Sequence, residues 1–330
     1  MVAFMIATSN MINMSYSWLN RLGKYNVLLS NPIITPLVNN TILLLLGVTG
    51  YKDIGLLAGT IGAQIATLIH MKRNIGKMRY KLTLNSIKYL LKKNSDFILF
   101  QYPSGITNGI ASQLPIILLS RFFGNSIVGY YSMTQKLLNI PISLIGGTVG
   151  RVFFKNISDI RRSNGDVQRY TFNVIKNIMI PYSFLTTLVF IFGDMAIPYI
   201  VGEAWLKTGE YIRIMMLWNM FFLIVNSTAG FPSVIGMQKE NMVNGILTLI
   251  IDFVTLFVTS IIFQNPLVTL LFFVIAHVIV HLLFFNRMLR GGNDFSINYI
   301  TFSSKIMLIM GITFVFIRLF LIKLGYTNSI

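Results

Sequence analysis

Rows of polar residues run along otherwise apolar segments, and these rows hold the groups able to do chemistry. In residues 127–153, Gly129, Ser132, Lys136, Asn139, Ser143, Gly146 and Gly150 recur at intervals of three and four. That spacing sets them on one helical stripe, with Val, Tyr, Met, Leu and Ile on the remaining surface. At a rise of 1.5 Å per residue, Lys136 lies about 15 Å along such a helix. An ammonium at that depth in a bilayer costs about 2.5–3.5 kcal/mol, so it needs water, a partner or an anion. Two readings are open: a wet, anion-attracting wall, or a seam of small residues with Lys136 stretching to the interface. Pro141, one turn on, removes a backbone donor and frees carbonyls beside the stripe.

Two further rows resemble the first. Asn241, Asn244, Thr248, Asp252, Thr255 and Thr259 share a face of residues 241–263, with Asp252 near mid-depth. Asp252 could pair with Lys136, carry a coupling proton, bind a cation or form a structural ion pair. Gln101, Ser104, Asn108 and Ser112 share a face of residues 97–120, which Pro103 and Pro115 are expected to interrupt. His277 and His281 stand one turn apart, but no third ligand lies nearby in sequence, so hydrogen-bonded packing is expected over a metal site. Gly55, Gly59 and Gly62 with Ala66 read as a helix-packing surface, and Arg318 as a cation reaching outward to the interface. Tyr199, Trp205 and Tyr211 flank an outer loop and read as interfacial anchors.

The elements that must position these rows are membrane helices. Of 330 residues, 54% are hydrophobic and 11% charged, against about a quarter charged in a soluble domain. Ten apolar stretches long enough to cross about 30 Å of hydrocarbon are expected. They lie near 1–19, 32–50, 54–71, 97–120, 127–153, 174–200, 211–235, 241–263, 266–285 and 300–322. The chain has no Cys, so disulfide and thiol chemistry are excluded. No Gly-rich phosphate loop, zinc-protease motif, nucleophile elbow or paired carboxylate is present, so no catalytic residue, cofactor or metal is expected. A cleavable leader is not expected either, because residues 1–13 carry no basic start.

The net charge of +17 is explained by position. Twenty of the 27 Lys and Arg residues fall in one set of alternate loops and five in the other, while Lys136 and Arg318 lie inside spans. The positive-inside rule makes the crowded set cytoplasmic, with added attraction to membrane lipid, so nucleic acid is not an expected partner. The expected organisation is a partial N-terminal bundle of three spans in 1–71 and a basic cytoplasmic connector in 72–96. A six-helix bundle in 97–290 and an extra span in 291–330 come next. Within the connector, Leu84, Ile87 and Leu91 suit a helix lying on the inner surface, with a solvated loop as the alternative. Lys24-Tyr25-Asn26 and Lys239-Glu240-Asn241 form an internal echo, each opening a pair of helices.

An ordered series of segments resembles the Wzx-type O-antigen and capsule flippases of the multidrug/oligosaccharidyl-lipid/polysaccharide (MOP) exporter superfamily. These are Trp18-Leu19-Asn20-Arg21 with Gly23-Lys24-Tyr25, Gly129-Tyr130-Tyr131-Ser132 with Lys136-Leu137 and Pro141, and Val152-Phe153-Phe154. Gly202-Glu203-Ala204-Trp205 and Gly236-Met237-Gln238-Lys239-Glu240 complete it. The resemblance implies a MATE-like fold of two six-helix bundles around a cavity, here with an incomplete N-terminal bundle lacking the family's first three helices. It implies a multi-pass protein of the bacterial inner membrane that moves undecaprenyl-pyrophosphate-linked oligosaccharide between leaflets by alternating access. Such a protein acts beside a polysaccharide polymerase and chain-length machinery. On this resemblance Lys136 holds the pyrophosphate, Ser132, Asn139, Ser143, Asn108 and Ser112 line the path, and Asp252 is a coupling site. A cation-coupled multidrug exporter of the same superfamily, a membrane polysaccharide polymerase and an inactive truncated remnant remain as alternatives.

Overall fold

The structure, a computed structural model, describes residues 2–50, 52–75, 83–93, 95, 99–100, 102–290 and 298–323. All regular structure among them is helical. In chain order the helices are α1 (Val2–Arg21), α2 (Tyr25–Val48), α3 (Lys52–Ile75), α4 (Leu84–Lys93) and α5 (Tyr102–Phe123). Then come α6 (Asn125–Pro141), a π turn (Ile142–Gly146), α7 (Gly147–Arg162), α8 (Val167–Val201) and a 3₁₀ turn (Glu203–Trp205). The remainder are α9 (Thr208–Ser227), α10 (Phe231–Val234), α11 (Gln238–Phe263), α12 (Pro266–Arg290) and α13 (Tyr299–Lys323).

Among the described residues, seven rods are long and apolar enough to cross a membrane: α2, α6 with the π turn and α7, α8, α9 with α10, α11, α12 and α13. The chain is an all-α, polytopic membrane protein. α1, α3 and α5 coincide with the remaining expected stretches and interleave more polar groups, such as Thr8, Ser9, Asn10 and Asn13 in α1. Two rods outrun their apolar stretches. α8 spans 35 residues, about 52 Å, and begins where the Asp166 carboxylate accepts the Arg169 backbone N–H at 2.8 Å. The α6–α7 rod spans 38 residues and continues to Arg162. Hydropathy marks only the part of a helix that meets hydrocarbon, whereas hydrogen bonding carries it further.

The chain divides into two compact units, residues 1–88 and 89–330. In the first, α3 packs on both α1 and α2. A Cβ at Gly59 would lie 2.5 Å from Asn39 Oδ1, and one at Gly62 would lie 2.4 Å from Ile42 Cδ1, so these glycines let α2 and α3 approach closely. Polar side chains stitch the unit together. Thr35 and Thr67 hydroxyls meet at 2.8 Å, Ser30 meets His70 Nε2 at 3.0 Å, and Gln64 Nε2 donates to Ser9 at 2.9 Å. The expected connector contains a formed helix, α4, with Leu84 and Leu91 exposed, rather than an irregular loop over that stretch. The rest of the connector includes residues 76–82, 94 and 96–98, which lie outside the described residues.

The second unit is built around α9, whose Met215, Met220, Phe221, Leu223 and Ile224 are all buried. It packs against α6, α7, α8 and α12. α5 and α6 form a hairpin through Gly124, whose φ of +84° is reached without strain only by glycine. α11 and α12 form a second hairpin, and α13 packs on α8 and α12. Tyr211 does not anchor at an interface. It is 2% exposed and meets the Tyr130 ring of α6 at 6.1 Å, and Tyr130 in turn meets the Trp205 ring at 6.3 Å.

Candidate functional site

The stripe begins as the sequence spacing requires. Ser132, Lys136 and Asn139 are exposed on α6, while Tyr131, Thr134 and Leu138 are buried on its opposite side. Lys136 takes part in none of the ion pairs among the described residues. Ser143, in the π turn, is exposed and donates to Ile140 O at 2.8 Å.

Beyond the π turn the stripe changes face, which corrects the single row expected through Gly150. A π turn adds a residue to the helical repeat and rotates the next stretch of helix by roughly 100°. Gly146 is buried, with a Cβ there only 3.3 Å from Asn226 Cβ, and a Cβ at Gly150 would lie 3.2 Å from Asn226 O. The far glycines therefore seat α9 rather than continue a polar wall. The carbonyl freed near Pro141 also turns inward. Ile142 N–H donates to Asn139 O, and Leu138 O accepts instead from Asn219 Nδ2 at 3.2 Å. Tyr182 donates to Asn219 Oδ1 and fixes that amide.

The expected face of α5 is divided in the same way. Ser104 and Thr107 are buried toward α11, near Gly245; Asn108 is exposed, though its Oδ1 also approaches Gly245, and Ser112 is exposed. Gln101 lies outside the described residues. The expected interruption is absent: α5 is continuous from Tyr102 to Phe123. Pro103 occupies the first turn, where no intrahelical N–H bond is required, and Pro115 is accommodated inside the helix.

Asp252 is 1% exposed and bonds not to Lys136 but to His277 Nδ1, at 2.9 Å. Its other oxygen, Oδ2, is buried without a hydrogen-bond partner among the described residues. The His277 ring lies 3.9 Å from the Trp218 ring, centre to centre, and His281 Nε2 meets Tyr299 OH at 2.9 Å. The two histidines thus use different partners, as hydrogen-bonded packing requires. The Asp252–His277 pair is open to sequence arithmetic. Asp252 precedes Gln264 by as many residues as His277 follows Asn265, so an antiparallel hairpin sets them level.

A second buried charge cluster carries no spacing signal in the sequence. Arg318 does not reach outward to the interface: it is fully buried, bonds to Ile191 O at 2.8 Å and pairs with Asp194 through both guanidinium donors of one edge. Arg213 reaches the same carboxylate at 3.4 Å. In hydrocarbon the pairing spares α13 an uncompensated cation.

The family model described as "Polysaccharide biosynthesis protein" matches residues 1–210, well over half of the chain. The chain belongs to this family of polysaccharide biosynthesis proteins. The match agrees with the flippase resemblance carried by the segments at Trp18, Gly129 and Gly202, which all lie inside it. The chain is also similar to the "Teichuronic acid biosynthesis protein TuaB" of Bacillus subtilis (strain 168), 24% identical over 137 residues. That stretch is 41% of this chain and 28% of the relative, so the chain spans less than a third of that curated protein's length in the match. No solved structure matches. In this polysaccharide biosynthesis protein, Asn108, Ser112, Ser132, Lys136, Asn139 and Ser143 fall within the family match, whereas Asp252 and His277 lie beyond it.

Proposed function

We propose that this chain serves the transfer of lipid-linked oligosaccharide repeat units across the bacterial cytoplasmic (inner) membrane by alternating access. The carrier is undecaprenyl pyrophosphate, and the polymer is an O-antigen, capsule or related envelope polysaccharide. The observation that carries the reading is the open ammonium of Lys136, on a spanning helix, with Ser132, Asn139 and Ser143 on its exposed face. Left unpaired, a cation at that depth is costly; a pyrophosphate offsets the cost and gains charge-assisted hydrogen bonds. Asn108 and Ser112 on α5 supply hydroxyl and amide contacts for sugar, and the Asp252–His277 pair is the coupling site.

Membership of a polysaccharide biosynthesis family supports the cargo class, and so does a relative whose name attaches it to teichuronic acid. A cationic drug as cargo is disfavoured, because Asp194 and Asp252 are already paired with Arg and His side chains. The chain acts with a polymerase and chain-length machinery that consume the delivered units. In cells that depend on this chain for a surface polymer, Lys136→Ala should abolish the polymer at normal protein level, and Lys136→Arg should retain much of it. Full surface polymer in Lys136→Ala would refute the assignment.

A further inference from the structure

At the basic end of the α11–α12 hairpin, two recesses of about 430 Å³ and about 480 Å³ adjoin across Leu283 and Arg287, which line both, and together make a groove at the helix ends. Its wall is apolar: Val243 and Leu247 come from α11, Leu283 and Phe284 from α12. Leu247 and Leu283 are each more than half exposed, which is the exposure of residues that meet acyl chains. Its mouth is cationic. Lys239 stands in the first turn of α11, and Arg287 and Arg290 stand in the last turn of α12. All three are exposed, and none takes part in an ion pair among the described residues. Glu240 also lines the mouth, so among the described residues three positive charges face one negative. These cations belong to the loops that the positive-inside rule assigns to the cytoplasmic surface.

We propose that this groove is a discrete site for an anionic phospholipid of the cytoplasmic leaflet. The phosphate is held by Lys239, Arg287 and Arg290, and an acyl chain runs along Leu247 and Leu283. A basic pocket between spanning helices at that surface meets both needs of such a lipid. A guanidinium offers paired donors to phosphate oxygens, and exposed leucines gain from acyl contact. A free phosphate would leave the apolar wall unused, and an apolar helix from another protein would leave three cations unmatched. The site goes beyond the transfer reading and needs none of the α5–α6 face.

The test uses the purified full chain exchanged into detergent with equal phosphatidylglycerol and phosphatidylcholine, then delipidated, with retained lipid counted by native mass spectrometry. The wild type is expected to keep phosphatidylglycerol selectively. The K239Q/R287Q/R290Q variant should retain it about tenfold less, while K155Q/R161Q/R162Q, which removes equal charge from α7, should match the wild type. Leu283→Trp, with every charge intact, should also lose retention by filling the wall. K239R/R287K/R290K should keep the lipid, which separates charge from misfolding, and loss in that variant with an unaltered elution profile overturns the proposal. Equal loss from both glutamine variants would mean diffuse attraction and would also overturn it. So would equal retention of phosphatidylcholine, or displacement of the lipid by millimolar inorganic phosphate.

Discussion

Asp252 shows how much one side chain's surroundings decide. Its carboxylate is sealed between α11 and α12 with one oxygen on His277 and the other unpartnered among the described residues. Removing the carboxyl altogether leaves the partly buried imidazole donor of His277 unsatisfied, at a cost of about 1 kcal/mol. Asp252→Ala should therefore lower the thermal unfolding midpoint in detergent. Asp252→Asn retains an acceptor of the same shape for His277 Nδ1 and should unfold near the wild-type temperature. If the pair is the coupling site, the folded Asp252→Asn protein fails to export polymer; normal export from it would reduce the pair to packing. Both residues stand out in the sequence because polar groups inside apolar runs are rare. Their pairing does not, because the periodicity of one helix says nothing about its neighbour. A Lys136–Asp252 pair suits the charges, yet equal counts from a turn set Asp252 level with His277 instead. Arg318 misleads for a similar reason. A basic residue with no visible partner suggests an interfacial position, and the partner, Asp194, lies on a helix remote in sequence.

At the scale of elements, helix positions are legible because only a membrane span requires apolar runs of that length. Their ends are less so: residues 154–162 and 167–173 are helical but polar, and hydropathy is blind to them. The stripe is legible for the turns that precede Pro141 and illegible after it. A π turn inserts its extra residue without altering the three-four pattern in the sequence, so nothing signals that Gly146 and Gly150 have rotated onto α9. The seam least able to yield joins α8 to α9. A Cβ on Gly209 would come within 2.5 Å of Asp194 Cα, a backbone atom that cannot swing away. Gly209→Ala should sharply reduce the yield of folded protein in fluorescence-detected size exclusion. Gly311→Ala meets nothing within 4 Å and should be neutral or stabilising, because alanine suits a helix interior better than glycine.

For the molecule as a whole, the question is what commits the last helix to the larger unit. α13 offers the bundle a largely apolar, lipid-exposed surface, with Leu308, Ile312 and Phe316 all facing outward. Its buried contacts are few and include Tyr299, Ser303, Met310 and Arg318. Hydrophobicity gives little reason to associate, since lipid is as apolar as a neighbouring helix. The Arg318–Asp194 pair supplies the specificity. Removing one partner of a buried pair costs about 3–5 kcal/mol. Arg318→Met should therefore lower the unfolding midpoint further than Arg213→Met, whose side chain is 15% exposed and whose contact is longer. Equal effects from the two changes would show that Arg213 can take over the carboxylate.

The α11–α12 hairpin turns at Gln264–Asn265, midway between Asp252 and His277. It behaves like a strip of paper creased at its centre: marks meet only if both arms have equal length. One residue added to either helical arm between the pair and the turn would slide one mark by about 1.5 Å and swing it by about 100°, pulling carboxylate and imidazole apart. Residues added outside that interval would leave them touching. The pair thus works as a checksum on the length of the hairpin, sensitive to single-residue insertions that an apolar seam would absorb.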